Sequence, residues 1–535
     1  MLFNSHAFIL VFLPLTLALV LGLSRLGARG LAKLALFAAS LFFYGYWSPK
    51  YVFLLLAILA TNYATAQVLL RLNTGATAGP SRVRTTVLGL GLLANVGVLG
   101  YFKYTNFAVG ILGSAIGHKL NIASIALPLG ISFITFQKVA LLVDVYSGTV
   151  PSLSLLDYCL FVTFFPQLIA GPIVHHREVI PQFARPDSLH ARALPMAAGV
   201  TLFVIGLAKK VLLADALAPA ANIVYDAAAA GAKVDFFSAW SGAVHYMLQL
   251  YFDFSGYSDM AIGLGMMFGV VLPFNFNSPY KAVGFVDYWQ RWHMTLTRFL
   301  TAYVYNPLVL RLTRRRMASG KKSMSKGRMT GGAFVVLLAL PTMFTMFISG
   351  VWHGAGFQFI AQGLLHGVYL VIDHGVRTFR KRSGGKPAPA GKGAIALARV
   401  LTLLGVLIGT VLFRADSLHS AARVLKGMIG ASGTGVLEIH KSPYWLVFLL
   451  ALIAGTQFLP NSQELMGSSF AKLRADALAG EHAPGQGPTA PPAPTGLLAW
   501  MKWRPALGWG IAVAAIGVFA LVRISEASVF LYFNF

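Results

Sequence analysis

The chain of 535 residues is 57% hydrophobic and 11% charged, with a mean hydropathy of +0.69. Soluble domains carry about a quarter charged residues, so a water-soluble globular enzyme is excluded; at about 20 residues per crossing, the length accommodates roughly ten to twelve transmembrane helices. The 43 Lys and Arg outnumber the 17 Asp and Glu for a net charge of +26, but they fall in short runs between apolar segments, the positive-inside pattern of membrane proteins rather than a nucleic-acid surface.

The first apolar run, 8–24, is followed rather than preceded by Arg25, Arg29 and Lys33. A secretory signal carries its charge ahead of the apolar stretch, so this reads as an uncleaved first span entering with its N-terminus outside the cytoplasm. Further runs lie near 34–47, 51–70, 86–102, 125–145, 155–170, 195–217, 237–272, 330–350, 356–376, 395–413, 443–460 and 506–523. They predict an all-α polytopic membrane protein of about eleven crossings plus one or two re-entrant or interfacial pieces. Segment 125–145 carries Gln137, Lys138 and Asp144, so it is expected to be buried in protein or to line a wet cavity. The single cysteine, Cys159, excludes an intramolecular disulfide or a thiolate cluster and reads as a small core hydrophobe.

The stretch QLYFDFSGYSDMAIGLGMMFG (249–269) sets Asp253 and Asp259 in an apolar run. The acids either orient a site or pair with buried Lys or Arg, and Gly256, Gly263, Gly265 and Gly269 permit close helix approach. In DYWQRWHMTLTRFLTAY (287–303), helical spacing puts Asp287, Arg291 and Arg298 on one face and Trp289, Trp292, His293, Leu296, Leu300 and Tyr303 on the other. One interfacial helix is predicted there, with an Asp287–Arg291 pair outside and His293 turned inward.

Two cationic loops without an acid follow: Arg311, Arg314, Arg315, Arg316, Lys321, Lys322, Lys326 and Arg328, then Arg377, Arg380, Lys381, Arg382, Lys386, Lys392 and Arg399. Both are expected in the cytoplasm. The chain from Met329 to Val376 has no Lys or Arg and only Asp373 as acid, so it should cross twice, with its turn at Val351-Trp352-His353-Gly354. Residues 382–393 (RSGGKPAPAGKG) and 479–496 (AGEHAPGQGPTAPPAPTG) read as linkers. The expected organisation is a membrane core over 1–460, a polar then Pro/Gly/Ala-rich linker over 461–500, and a peripheral transmembrane helix within 501–535.

Of the thirteen histidines, His6, His118, His175, His176, His190, His419, His440 and His482 lie in or beside loops and read as solvated. His366 and His374 are eight apart, a poor chelate, and no HxxxH pair occurs, so no metal is expected. His353 stands out at the far turn of the hairpin, flanked by Ser349, Gly350, Gly354 and Gly356; an ionisable group within membrane protein is a functional hypothesis by default.

Read together, LPLGISFITFQKVALLVDVYSG (127–148), FFPQLIAGPIVHHREVIPQF (164–183), YFDFSGYSDMAIGLGMMFGVVLPFNFNSPY (251–280), DYWQRWHMTLTRFLTAYVYNPL (287–308), SGVWHGAGFQFIAQGLLHG (349–367) and FRADSLHSAARVLKGMIG (413–430) resemble the membrane-bound O-acyltransferases. The bacterial branch that acetylates alginate and transfers D-alanine to teichoic acid is the similar one, over roughly residues 1–460. The resemblance implies a ring of helices around a thinned centre, with a cytoplasmic acyl donor approaching from one side and an acceptor from the other. It implies catalysis at His353, in WHG, with His293, in RWH, as the second histidine. Trp352, Trp289, Trp292, Gln290, Asn275 and Asp253 are expected to line or serve the site, and His293, Gln290 or Asn275 to polarise the thioester carbonyl. No tightly bound cofactor is expected; acetyl-CoA or another acyl thioester is the donor. The expected acceptor is an envelope polysaccharide (alginate, cellulose or peptidoglycan) reached directly or through a secreted SGNH-type partner, at a bacterial inner membrane. D-alanyl transfer to teichoic acid and a non-catalytic acyl channel are the alternatives.

Overall fold

The computed structural model describes residues 1–73, 81–118, 120, 123–325, 328–379, 391–434, 443–478, 500–524 and 530–531. Lys326, Arg380, Lys381, Arg382, Lys386, His440, His482 and nearly all of the two linkers lie outside them. Apart from a two-residue ladder pairing Met324–Ser325 with Arg328–Met329, the described elements are helices. Seven are long and apolar enough to cross a membrane: Ala7–Arg25, Pro49–Asn73, Arg82–Ile116, Ala193–Ala229, Gly331–His353, Phe357–Phe379 and Lys392–Arg414. Other expected crossings are shorter helices, Arg29–Gly45, Pro443–Phe458 and Leu507–Val522 among them. Exposed Leu15, Phe53, Leu93 and Val518 give the spans their apolar outer surface. The chain divides into two compact units.

The first unit comprises Met1–Leu212, Asp253–Phe274 and Ser462–Asn534. Its centre is a backbone-to-backbone approach made possible by glycine. A Cβ on Gly206 would sit 2.4 Å from the Gly256 carbonyl oxygen, and one on Gly263 would sit 2.5 Å from that of Gly199. Just beyond, a wide turn at Lys209–Ala214 delivers two lysines to the acids of the glycine-rich helix. Lys209 Nζ lies 2.7 Å from Asp259 and 2.6 Å from Ser462 Oγ, while Lys210 Nζ lies 2.7 Å from Asp253. The remaining Asp253 oxygen accepts the Leu531 amide at 3.1 Å. Of the two roles open to these acids, pairing with buried lysines is the one they adopt. The helix Ile131–Tyr146 is enclosed, with Gln137 and Lys138 both buried, as its polarity requires. Its Asp144 meets His176 Nδ1 at 3.0 Å, so His176 is buried rather than solvated.

Residues 462–478 are not the start of a linker but the helix Ser462–Leu478, bent at Gly467. Trp503 is buried, its indole N–H donating to Thr201 Oγ1 at 3.1 Å. The following helix, Leu507–Val522, is exposed along most of its length.

The second unit comprises Leu213–Phe252 and Asn275–Asn461. Its predicted hairpin is present: Leu340–His353 closes one arm and Phe357–Phe379 forms the other, with the turn at 354–356. The arms touch at glycine, since a Cβ on Gly363 would meet the Met346 carbonyl at 2.3 Å and one on Gly350 would meet that of Phe359 at 2.4 Å. Arg311, Arg314, Arg315 and Arg316, read as loop, lie on the helix Asn306–Ala318. Lys392 begins the helix Lys392–Arg414 instead of ending a linker.

Candidate active site

The predicted single helix over 287–303 is broken. Phe285–Trp289 ends at Gln290, Met294–Leu300 begins after His293, and His293 itself takes the left-handed conformation, φ 42° and ψ 51°. A non-glycine residue held there costs about 1–3 kcal/mol, so its surroundings must fix it. They do so through an extended segment alongside: the Asn277 amide donates to the Arg291 carbonyl at 2.9 Å, and the Met294 amide to that of Asn275 at 3.0 Å. Helical periodicity still placed the buried face correctly, because Trp289, Trp292, Leu296 and Leu300 are buried and His293 is fully so. Gln290, at the break, is exposed.

Asn275 is the keystone. Its Oδ1 accepts the Thr295 amide at 3.2 Å, the Thr295 hydroxyl at 2.9 Å and His293 Nδ1 at 3.0 Å. A backbone amide can only donate, so this atom is the oxygen, and His293 must be the donor through Nδ1–H. The Nε2 of His293 then carries the lone pair and is a proton acceptor. Asn275 therefore orients His293. Burial, and then the neighbouring His353, holds the His293 imidazole well below the ordinary histidine range, so it stays neutral. It lies outside the seven spans.

His353 is the last residue of its helix and is buried. Its ring meets Trp352 edge to face at 4.9 Å and Phe413 at 5.1 Å, and Trp352 lies 6.1 Å from His293. Gly354 follows because a Cβ there would sit 2.1 Å from the Phe359 ring. The site is thus two buried imidazoles flanking an indole, one locked with its lone pair on Nε2. Trp292 packs among Phe276 at 5.0 Å, Tyr288 at 5.8 Å and Tyr251 at 6.4 Å. Asp253 pairs with Lys210 and accepts the Leu531 amide within the first unit. Sequence reasoning missed Thr295, two residues past His293, and left His366 aside, although that residue is buried with its ring 5.5 Å from Trp289. Among the described residues no cluster of His, Cys, Asp or Glu fits a metal ion.

Buried imidazoles beside a membrane hairpin suit acyl transfer to a hydroxyl, and known proteins agree. The family model for membrane-bound O-acyltransferases matches residues 31–321. The chain belongs to the membrane-bound O-acyltransferase family and is a multi-pass membrane O-acyltransferase. Among relatives, it is 38% identical to the peptidoglycan O-acetyltransferase of Helicobacter pylori over 82% of each chain. It is 32% identical to the probable alginate O-acetylase of Pseudomonas aeruginosa over the whole of both chains. To the teichoic acid D-alanyltransferase of Streptococcus thermophilus it is 26% identical over 53% of this chain and 68% of that one.

Proposed function

We propose that this protein moves an acetyl group from a cytoplasmic thioester, acetyl-CoA, to a hydroxyl of a cell-envelope polysaccharide outside a bacterial inner membrane. The transfer is made directly or through a secreted SGNH-type partner. Acetyl rather than D-alanyl transfer is favoured because similarity to the O-acetylating relatives is both higher and more extensive. The catalytic core lies within residues 1–460, and the last helix is peripheral to the chemistry.

The observation that carries this reading is the buried His353 beside an Asn275-oriented His293, at the turn of a hairpin whose two far ends lead into the cationic runs. His353 accepts the proton of the attacking hydroxyl as its oxygen bonds to the thioester carbon. The carbon–sulfur bond then breaks, and the proton passes to the departing sulfur. His293 aligns a hydroxyl of the acceptor through Nε2. A positioned base of this kind contributes about 10²- to 10⁴-fold. His353→Ala should therefore lower polysaccharide O-acetyl ester formation at least about 100-fold, at unchanged membrane abundance. Normal acetylation in that variant would sink the assignment.

A further inference from the structure

A cavity of about 260 Å³ opens in the first unit between the segment Arg185–Pro195 and the helix Ser462–Leu478. Its walls carry three cations, Arg185, Arg192 and Lys472, against two carboxylates, Asp187 and Asp476. Asp187 is shared: Arg185 Nε donates to its Oδ1 at 3.2 Å, and Arg192 pairs with its Oδ2. One carboxylate cannot neutralise two guanidinium groups. The further acceptor that Arg185 finds, the Asp476 carbonyl, carries no charge. The cavity is thus left with an excess of one positive charge, while Leu194, Pro195, Val271 and Leu473 give it an apolar wall.

The cavity lies at the ends of two spans. Ser24 Oγ, one residue before the first span ends, stands 3.2 Å from His190 Nδ1, and Arg29 Nε donates to Ser188 Oγ at 3.2 Å. The span Ala193–Ala229 starts directly after Arg192. Arg25, Arg29 and Lys33 mark this end of the first span as the cytoplasmic one by the positive-inside pattern. The cavity therefore sits at the level of lipid headgroups. Its wall is held in shape: Leu189 is buried at φ 61°, a conformation that leucine keeps only where its surroundings fix it.

We infer that this cavity holds the phosphodiester headgroup of an anionic phospholipid. The single excess charge matches a phosphodiester monoanion, whereas a nucleotide or coenzyme brings several negative charges. Size argues the same way. Ligand clefts run to about 300–1,000 Å³, so about 260 Å³ admits a headgroup but not a coenzyme. Basic pockets between spans on the cytoplasmic side are suited to such headgroups, and the apolar wall continues toward the acyl chains. A lipid bound here bridges Arg192, at the head of one span, to Lys472 on the helix Ser462–Leu478, and so fastens that helix to the membrane core.

The test is thermal unfolding of the full-length protein in detergent, with dihexanoyl-phosphatidylglycerol titrated below its micelle concentration. The lipid should raise Tm saturably, because a ligand of the folded state stabilises it by mass action. Dihexanoyl-phosphatidylcholine, with no net charge, should not. Lys472→Gln and Arg192→Gln should each raise the apparent Kd at least about tenfold, the worth of one charge-assisted hydrogen bond. Arg315→Gln, which removes an exposed cation from another run, should leave it unchanged. Lys472 and Arg192 are both exposed, and Asp187 keeps Arg185 when Arg192 is replaced, so both variants should fold. An unchanged Kd in both would overturn the inference, as would an equal response to phosphatidylcholine. Glycerol 3-phosphate binding as tightly as the lipid would overturn the lipid assignment and make a free phosphate ester the ligand.

Discussion

Lys209, Lys210 and Lys33 in the first unit each meet a carboxylate, at 2.7, 2.7 and 2.5 Å. In the second unit His293, His353 and His366 are equally buried but stand among indole, phenyl and phenol rings. The ion pairs of that unit, such as Arg291–Asp287 and Arg377–Asp373, are partly exposed. A charge inside membrane protein is tolerable only when paired, and a paired charge has given up its freedom to exchange a proton. A neutral imidazole can be buried without a counter-ion and still accept one. The first unit therefore commits Lys33, Lys209 and Lys210 to framework, and the second places its buried imidazoles among rings.

That division is broken most directly at Asp253. Asp253→Ala removes the carboxylate 2.7 Å from Lys210 Nζ, so it should cost about 3–5 kcal/mol of stability, read as a lower melting temperature in detergent. Activity per folded molecule should be retained. The double variant Lys210→Met/Asp253→Leu, which replaces the pair with apolar side chains, should recover most of that stability. Loss of transfer at unchanged stability would instead place Asp253 in the catalytic machinery and erase the contrast. His353→Ala should behave in the opposite way, melting as the wild type does.

Asn275 sharpens the comparison from the other side. Without its carbonyl nothing selects the Nδ1–H tautomer of His293, and a misplaced group near the chemistry costs about 10²-fold. Asn275→Ala should thus lower kcat by about that factor with donor KM unchanged, and His293→Ala should fall at least as far. Asn275→Asp should retain more activity than Asn275→Ala, since a carboxylate oxygen also accepts Nδ1–H. Equal rates in both Asn275 variants would show that the tautomer lock is dispensable.

The hairpin and the position of His353 were legible because both arise from local pattern: a stretch free of Lys and Arg between cationic runs, interrupted by WHG. The buried face of 287–303 was legible for the same reason. The break at Gln290–His293 was not, because helical spacing continues through it and only hydrogen bonds to the distant segment 275–277 interrupt it. That break turned Gln290 out to solvent. The pairing of Asp253 was hidden for a related reason. Its partner Lys210 lies in another apolar run, and sequence spacing says nothing about which distant cation a buried acid will meet. His366 packs closely on Gly409 of a separate helix, a contact that sequence spacing does not reveal.

The smallest effect is expected at the Asp287–Arg291 pair, although it adjoins the strained His293. The guanidinium Nε lies 2.7 Å from Asp287 Oδ1, but the side chains are 21% and 32% exposed, so water screens the interaction and it should contribute at most about 1 kcal/mol. Nor does the break depend on it. The Arg291 carbonyl is held by the Asn277 amide and the Met294 amide by the Asn275 carbonyl, bonds that any side chain leaves in place. Arg291→Met should accordingly shift stability by less than about 1 kcal/mol and transfer by no more than about twofold. Asp287→Asn should do the same while keeping an acceptor for the Val283 amide, now 3.0 Å from Oδ2. A drop in kcat approaching that of Asn275→Ala would mean that the ion pair, and not the backbone ladder, sets the conformation of His293.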